Sequence, residues 1–147
     1  MTPYASDWLD HGFCYISDTR PLGGRYHGEP RPFIGSVDLL SFDTSEFLEI
    51  AAQANAVCRY MARDFTHSIG VAAMCNQTID HQILCEICIQ LAIRLDGIID
   101  FDRLKAPKDS GLRRCVWIYD DQEQWTTLGT ADEARMWMLH PSFHMLK

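Results

Sequence analysis

Two segments of the chain carry apolar residues at helical spacing. Phe47, Ile50, Ala51, Ala54, Val57, Cys58, Met61 and Phe65 recur three or four positions apart, so a helix would line them along one stripe facing a core. Its start is signalled by Asp43 as N-cap, Glu46 closing a capping box, and Phe42 and Phe47 spaced as a hydrophobic staple. The second segment begins near Thr78, with Asp80 where a negative charge complements the helix dipole, and stops before Gly97. Leu84, Leu91, Ala92 and Leu95 share one side of it with His81, Cys85 and Cys88, which predicts an amphipathic helix. A third, short helix opens with a capping box from Thr130 to Glu133 and ends at His140-Pro141.

Between these helices, β-branched and aromatic runs predict strands near Phe13 to Ile16, over Phe33 to Leu40, and over Ile98 to Phe101. Cys115 to Tyr119 reads as another, returning through the turn Asp120-Asp121-Gln122-Glu123 to a hairpin partner at Trp125 to Leu128. The small-residue run Ile69 to Cys75 is too short for a helix of ordinary length and predicts a buried strand linking the two long helices through the core. Pro21 to Pro32 holds glycines and prolines that forbid a continuous helix or central strand. The pattern implies a single α+β domain over residues 1–147. It would hold a mixed or antiparallel sheet of about four to six strands, packed by two main helices and a short C-terminal one.

Composition narrows the function classes. At 147 residues and 47% hydrophobic content the chain can bury one core unaided. A formal net charge of −7 argues against nucleic-acid binding, which needs clustered Lys and Arg, and suits a basic protein partner or plain solubility. The start has no basic region followed by an apolar run, and no apolar stretch approaches the ~20 residues that span a bilayer. A soluble protein with no membrane contact is expected. Six cysteines, at 14, 58, 75, 85, 88 and 115, fall inside periodic elements rather than loops, as buried thiols of a reducing compartment do.

Four groups of residues invite a chemical reading. His81, Cys85 and Cys88 project from one helix face, and with Cys75 they compose a candidate zinc set. Their apolar neighbours, and the difficulty of converging three ligands from one rigid helix, favour core thiols and no cofactor. His81 and Cys85 also lie one turn apart, the spacing of a base and its nucleophile on one helix face, but nothing adjacent suggests an oxyanion hole. The loop carrying Arg25, His27, Glu29 and Arg31 could hold a phosphate or carboxylate, which makes a small enzyme or anion-binding domain the alternative function; it matches neither a P-loop nor a dinucleotide fingerprint. Acidic residues gather at Asp96, Asp100 and Asp102 and again at Asp120, Asp121 and Glu123, where an acid–base pair, a divalent-metal site or an acidic docking surface could each be built.

Three stretches carry a family resemblance: Gly24-Arg25-Tyr26-His27-Gly28-Glu29-Pro30-Arg31-Pro32-Phe33, the helix beginning Asp80-His81-Gln82-Ile83-Leu84 and running into Leu95-Asp96-Gly97-Ile98-Ile99-Asp100-Phe101, and the closing Trp137-Met138-Leu139-His140-Pro141-Ser142-Phe143-His144-Met145-Leu146-Lys147. Over most of residues 12–147 the chain resembles a group of small bacterial proteins of unknown function, of a kind often encoded beside polymorphic toxins and inferred to be their immunity proteins. The resemblance implies a non-enzymatic inhibitor, without a cofactor, that binds a cognate toxin in the bacterial cytoplasm. An acidic domain of this sort would block a basic catalytic cleft around an aromatic anchor. Asp120, Asp121, Glu123 and Trp125, or the loop of Arg25, His27, Glu29 and Arg31, are the expected contact residues.

Overall fold

The computed structural model describes residues 13–16, 31–40 and 48–146. Among these residues ten elements follow one another: β1 (Phe13–Ile16), β2 (Phe33–Leu39), α1 (Leu48–Met61), β3 (His67–Ala73), α2 (Thr78–Leu95), β4 (Ile99–Asp100), a 3-10 turn (Lys108–Ser110), β5 (Arg113–Tyr119), β6 (Gln122–Gly129) and α3 (Ala131–Met138). The strands form two antiparallel three-stranded sheets, ordered β1-β2-β3 and β4-β6-β5, rather than one. The α+β expectation holds. The N-cap, capping box and staple expected at Phe42, Asp43, Glu46 and Phe47 lie outside the described residues.

Helix α2 is the central post of the molecule. Ile83, Leu84, Cys85, Ile87, Ile89 and Ala92 are all buried, and at 100° per residue they occupy well over half of its circumference. The expected one-sided amphipathic helix is thereby corrected. Sheet β1-β2-β3 meets it through Phe33, Ile16, Val71 and Ala73, while Ile99, Phe101, Leu104, Ala134, Trp137 and Met145 close over it from elsewhere. A helix walled by neighbours must be apolar nearly all round.

The start of α2 is set by a side chain far away in sequence, its end by local backbone geometry. Asp80 is 1% exposed; its carboxylate accepts the Gln77 backbone N–H at 2.7 Å and two hydrogen bonds from Arg31 Nη1 at 3.1 and 3.2 Å. A buried carboxylate needs such partners. At the C-terminus Asp96 adopts the left-handed conformation, and the Gly97 N–H reaches back to the Ala92 carbonyl at 2.8 Å.

The run from Ile69 onward is a strand, but it does not pass through the core. Among the described residues β3 is an edge strand whose first four residues, His67 to Gly70, are exposed, and only its Val71, Ala72 and Ala73 are half-buried where they approach α2. Helix α1 likewise departs from its expected stripe. Ile50 is 57% exposed, whereas Ala51 and Ala56 are buried, so α1 lies close against β5 through small side chains. Ala56, Cys115 and Leu128 make a second, smaller core there with Val57, Met61, Ile98 and Trp117.

The C-terminal segment locks by local chemistry. Thr130 and Glu133 cap α3 reciprocally, each side chain bonded to the other's backbone N–H, at 3.2 and 2.8 Å. Trp137 is fully buried, donates from Nε1 to the His144 carbonyl at 3.1 Å, and packs edge-on against Phe143. Where β6 turns into α3, a Cβ on Gly129 would lie 2.7 Å from Leu112 Cδ2 and 3.1 Å from Phe101 Cε2. A larger residue there would require Leu112 and Phe101 to shift.

Candidate functional site, the hairpin of β5 and β6

β5 and β6 pair over their whole length, from Arg113 opposite Leu128 to Tyr119 opposite Gln122. The connection is therefore two residues, Asp120 and Asp121, with φ of 49° and 58°. Positive φ at both central positions is the type I′ geometry that matches the twist of a hairpin, and Asp tolerates it better than most residues. Glu123, expected within the turn, instead belongs to β6.

Because side chains alternate along a strand, Arg114, Val116 and Ile118 share a face with Glu123 and Trp125. Val116 stands directly opposite Trp125, and Ile118 opposite Glu123. This face is open: Val116 is 47% and Ile118 66% exposed, and Trp125 is half-buried beneath Arg114, whose guanidinium sits 4.4 Å from the ring centroid. Arg114 also approaches Glu123, at 3.7 Å between two exposed side chains, a pair of little energetic weight. Asp120 and Asp121 stand at the tip, both exposed. The fold thus gathers four expected contact residues, Asp120, Asp121, Glu123 and Trp125, into one hairpin. Arg114, Val116 and Ile118, which sequence reading passed over, share the face of Glu123 and Trp125. The alternation in Arg114-Cys115-Val116-Trp117-Ile118 was the available signal, since it offers a choice of outward face.

On the opposite face, Cys115 and Trp117 turn toward α1. Cys115 is 1% exposed and its thiol is pushed up by burial, with the nearby Asp100 charge adding to the effect. Asp100 itself is an exposed residue, but its carboxylate is engaged by three donors. It accepts hydrogen bonds from Thr126 Oγ1, from the Asp102 N–H at 2.8 Å and from Gln53 Nε2 at 2.9 Å. Desolvation raises its carboxyl above the ordinary range, opposed by those three bonds. Its neighbours spend its acceptor capacity on structure: Gln53 ties α1 to the sheet, and Asp102 is held in a left-handed turn. Asp96 is engaged apart from it, bonded to Arg63 at 2.7 Å. Each member of the first acidic group thus serves a local turn or tether, whereas Asp120, Asp121 and Glu123 stand together on the open surface of the hairpin.

The other candidates resolve as follows. Arg25, His27 and Glu29 lie outside the described residues. Arg31 is directed inward, its guanidinium bonded to Asp80 and, at 2.7 Å, to Gln77 Oε1, so one of the two arginines of the supposed anion loop is committed to the start of α2. His81 has both ring nitrogens occupied: Nδ1 accepts the Met145 N–H at 2.9 Å, and Nε2 pairs with Asn76 Oδ1, also at 2.9 Å. A neutral ring arranged this way has no lone pair left for a metal. Cys85 is fully buried, with its thiol raised by desolvation, and burial pushes Cys88 up to about 11. Thiols so shifted are poor nucleophiles and poor metal ligands. Among the described residues no group of three or more His, Cys, Asp or Glu side chains is placed to hold a metal ion, and no helix is long and apolar enough to cross a membrane.

The chain belongs to a family of unknown function, DUF6368, whose model matches residues 9–147. No curated protein and no solved structure matches it.

Proposed function

We propose that this member of the family is a non-enzymatic immunity protein of the bacterial cytoplasm, one that binds a cognate toxin and blocks its active site with the β5–β6 hairpin. The observation that carries the reading is the composition of one exposed hairpin face: a half-buried Trp125, flanked by the exposed aliphatics Val116 and Ile118 and bordered by Glu123, Asp120 and Asp121. Aromatic anchors with an apolar surround carry most of the energy in protein interfaces, while rim charges set the rate and choice of partner. A net charge of −7 favours encounter with a basic cleft. The rim acids are positioned by a rigid two-residue turn rather than a long loop, so little ordering entropy opposes binding.

The test is titration of the protein with the toxin encoded in the neighbouring reading frame. Trp125→Ala should weaken binding by about 30-fold, the effect of a hot-spot residue near 2 kcal/mol. Asp120→Lys with Asp121→Lys should chiefly slow association and flatten its salt dependence. Unchanged affinity in folded hairpin variants, with the wild type still binding, would move the interface elsewhere.

A further inference from the structure

β5 is bonded to β6 along one side only, and among the described residues its other edge makes no backbone hydrogen bond. An edge strand of seven residues ordinarily carries a protecting device such as a proline, a bulge or a central lysine. β5, Arg113-Arg114-Cys115-Val116-Trp117-Ile118-Tyr119, has none of these. Its charges are instead segregated, two arginines at its start and the acids Asp120 and Asp121 immediately past its end. A strand with this polarity is complementary to itself when reversed.

We infer that β5 pairs antiparallel with β5 of a second copy of the chain, about a two-fold axis at Val116, to make a continuous six-stranded sheet. Full overlap of the seven residues fixes this register. Val116 faces its own counterpart, Cys115 lies opposite Trp117 of the second copy, Arg114 opposite Ile118, and Arg113 opposite Tyr119. The acidic turn of each copy then reaches the arginine end of the other, within the diagonal distance that long side chains span. Each copy keeps the same face up, because directly opposed residues in an antiparallel pair point the same way.

Both flanks of the edge suit such a neighbour. On the outer face Val116 and Ile118 are exposed, and pairing sets Val116 beside its counterpart and Ile118 beside Arg114 of the second copy. On the inner face an open groove of about 530 Å³ runs between α1 and β5, lined by Ala56, Arg59, Tyr60, Cys115 and Trp117 among others. Trp117 of the second copy, being opposite Cys115, enters that groove. The Trp117 Nε1–H, buried and without an acceptor among the described residues, gains access to new partners there. The inference shares Val116, Ile118, Asp120 and Asp121 with the immunity reading, but it rests on the free edge of β5 and its test requires no toxin.

Mass measurement by light scattering over a dilution series of the full chain should give a species of twice 16.8 kDa that dissociates on dilution. Val116→Cys, an exposed site, should form an intermolecular disulfide on mild oxidation, mapped by mass spectrometry to position 116. At the two-fold axis the paired Cα atoms are about 4.5–5.5 Å apart, within disulfide range. Ile118→Cys should not cross-link to itself, since its counterpart is four residues along the neighbouring strand, about 13 Å away. A monomer at every concentration overturns the proposal. So does a dimer in which neither position, or both, cross-link.

Discussion

The guanidinium of Arg114 on β5 lies over the ring of Trp125 on β6, 4.4 Å from its centroid. This contact covers the one large aromatic ring of the exposed hairpin face and holds a cation beside it. An exposed cation–π pair is worth about 0.5–1 kcal/mol. In a double-mutant cycle of Arg114→Ala and Trp125→Ala, read by urea denaturation, the coupling should fall in that range. Zero coupling would mean that the guanidinium is held by Glu123 alone.

Arg31 and Asp80 are 49 residues apart in the chain and meet at the start of α2. Removing Arg31 leaves the almost fully buried Asp80 with the Gln77 N–H and no countercharge. Arg31→Met should therefore destabilise by about 3 kcal/mol, the scale of a broken buried pair. The double variant Arg31→Met, Asp80→Leu should recover much of that loss. A single-variant loss below about 1 kcal/mol would show the pair to be incidental to stability.

Asp100 carries a pH prediction. Desolvation raises its folded value above the ordinary 3.8, so the native state binds its proton more tightly than the unfolded chain does. Its contribution is complete below 3.8 and is lost as pH rises through the folded value. Asp100→Asn keeps an oxygen to accept from Thr126 and the Asp102 N–H without the charge. The variant should match or exceed the wild type in stability at neutral pH, and that advantage should vanish in acid. Denaturation curves of both proteins at several pH values check this, and a variant less stable than the wild type at neutral pH would contradict it.

Ala62 ends α1 in the left-handed region, at φ 50°, with the Arg63 N–H bonded back to the Cys58 carbonyl at 3.0 Å. A Cβ in that conformation costs about 1 kcal/mol, and glycine removes the strain. Ala62→Gly should raise stability by about that amount and the melting temperature with it, although glycine usually weakens a helix. A fall in melting temperature would show the left-handed end to be unstrained.

What was legible in the chain follows the range of the interactions involved. The Thr130–Glu133 cap, the stop at Gly97 and the hairpin of β5 and β6 are local, each encoded within a few residues, and each was recovered. The burial of strand faces was not. Ile69 looks like a core residue, yet it is exposed because β3 forms a sheet edge and only its far end meets α2. Ile50 gave way to Ala56 because α1 approaches β5 closely enough to prefer a methyl group. His81, read as a possible ligand, is spent on a Met145 N–H 64 residues away, a partner no spacing rule could supply. At the site, the acidic turn and Trp125 were visible, but the exposed Val116 and Ile118 were not, since their face depends on where α1 packs.

The most direct measurement is co-expression with the product of the neighbouring reading frame, scored by growth and by recovery of a complex. The expected result is growth arrest by that product alone, rescue by this protein together with a stable stoichiometric complex, and loss of rescue in a folded variant carrying Trp125→Ala and Ile118→Ala. Arrest that this protein fails to relieve when well expressed, with no complex recovered, would contradict it.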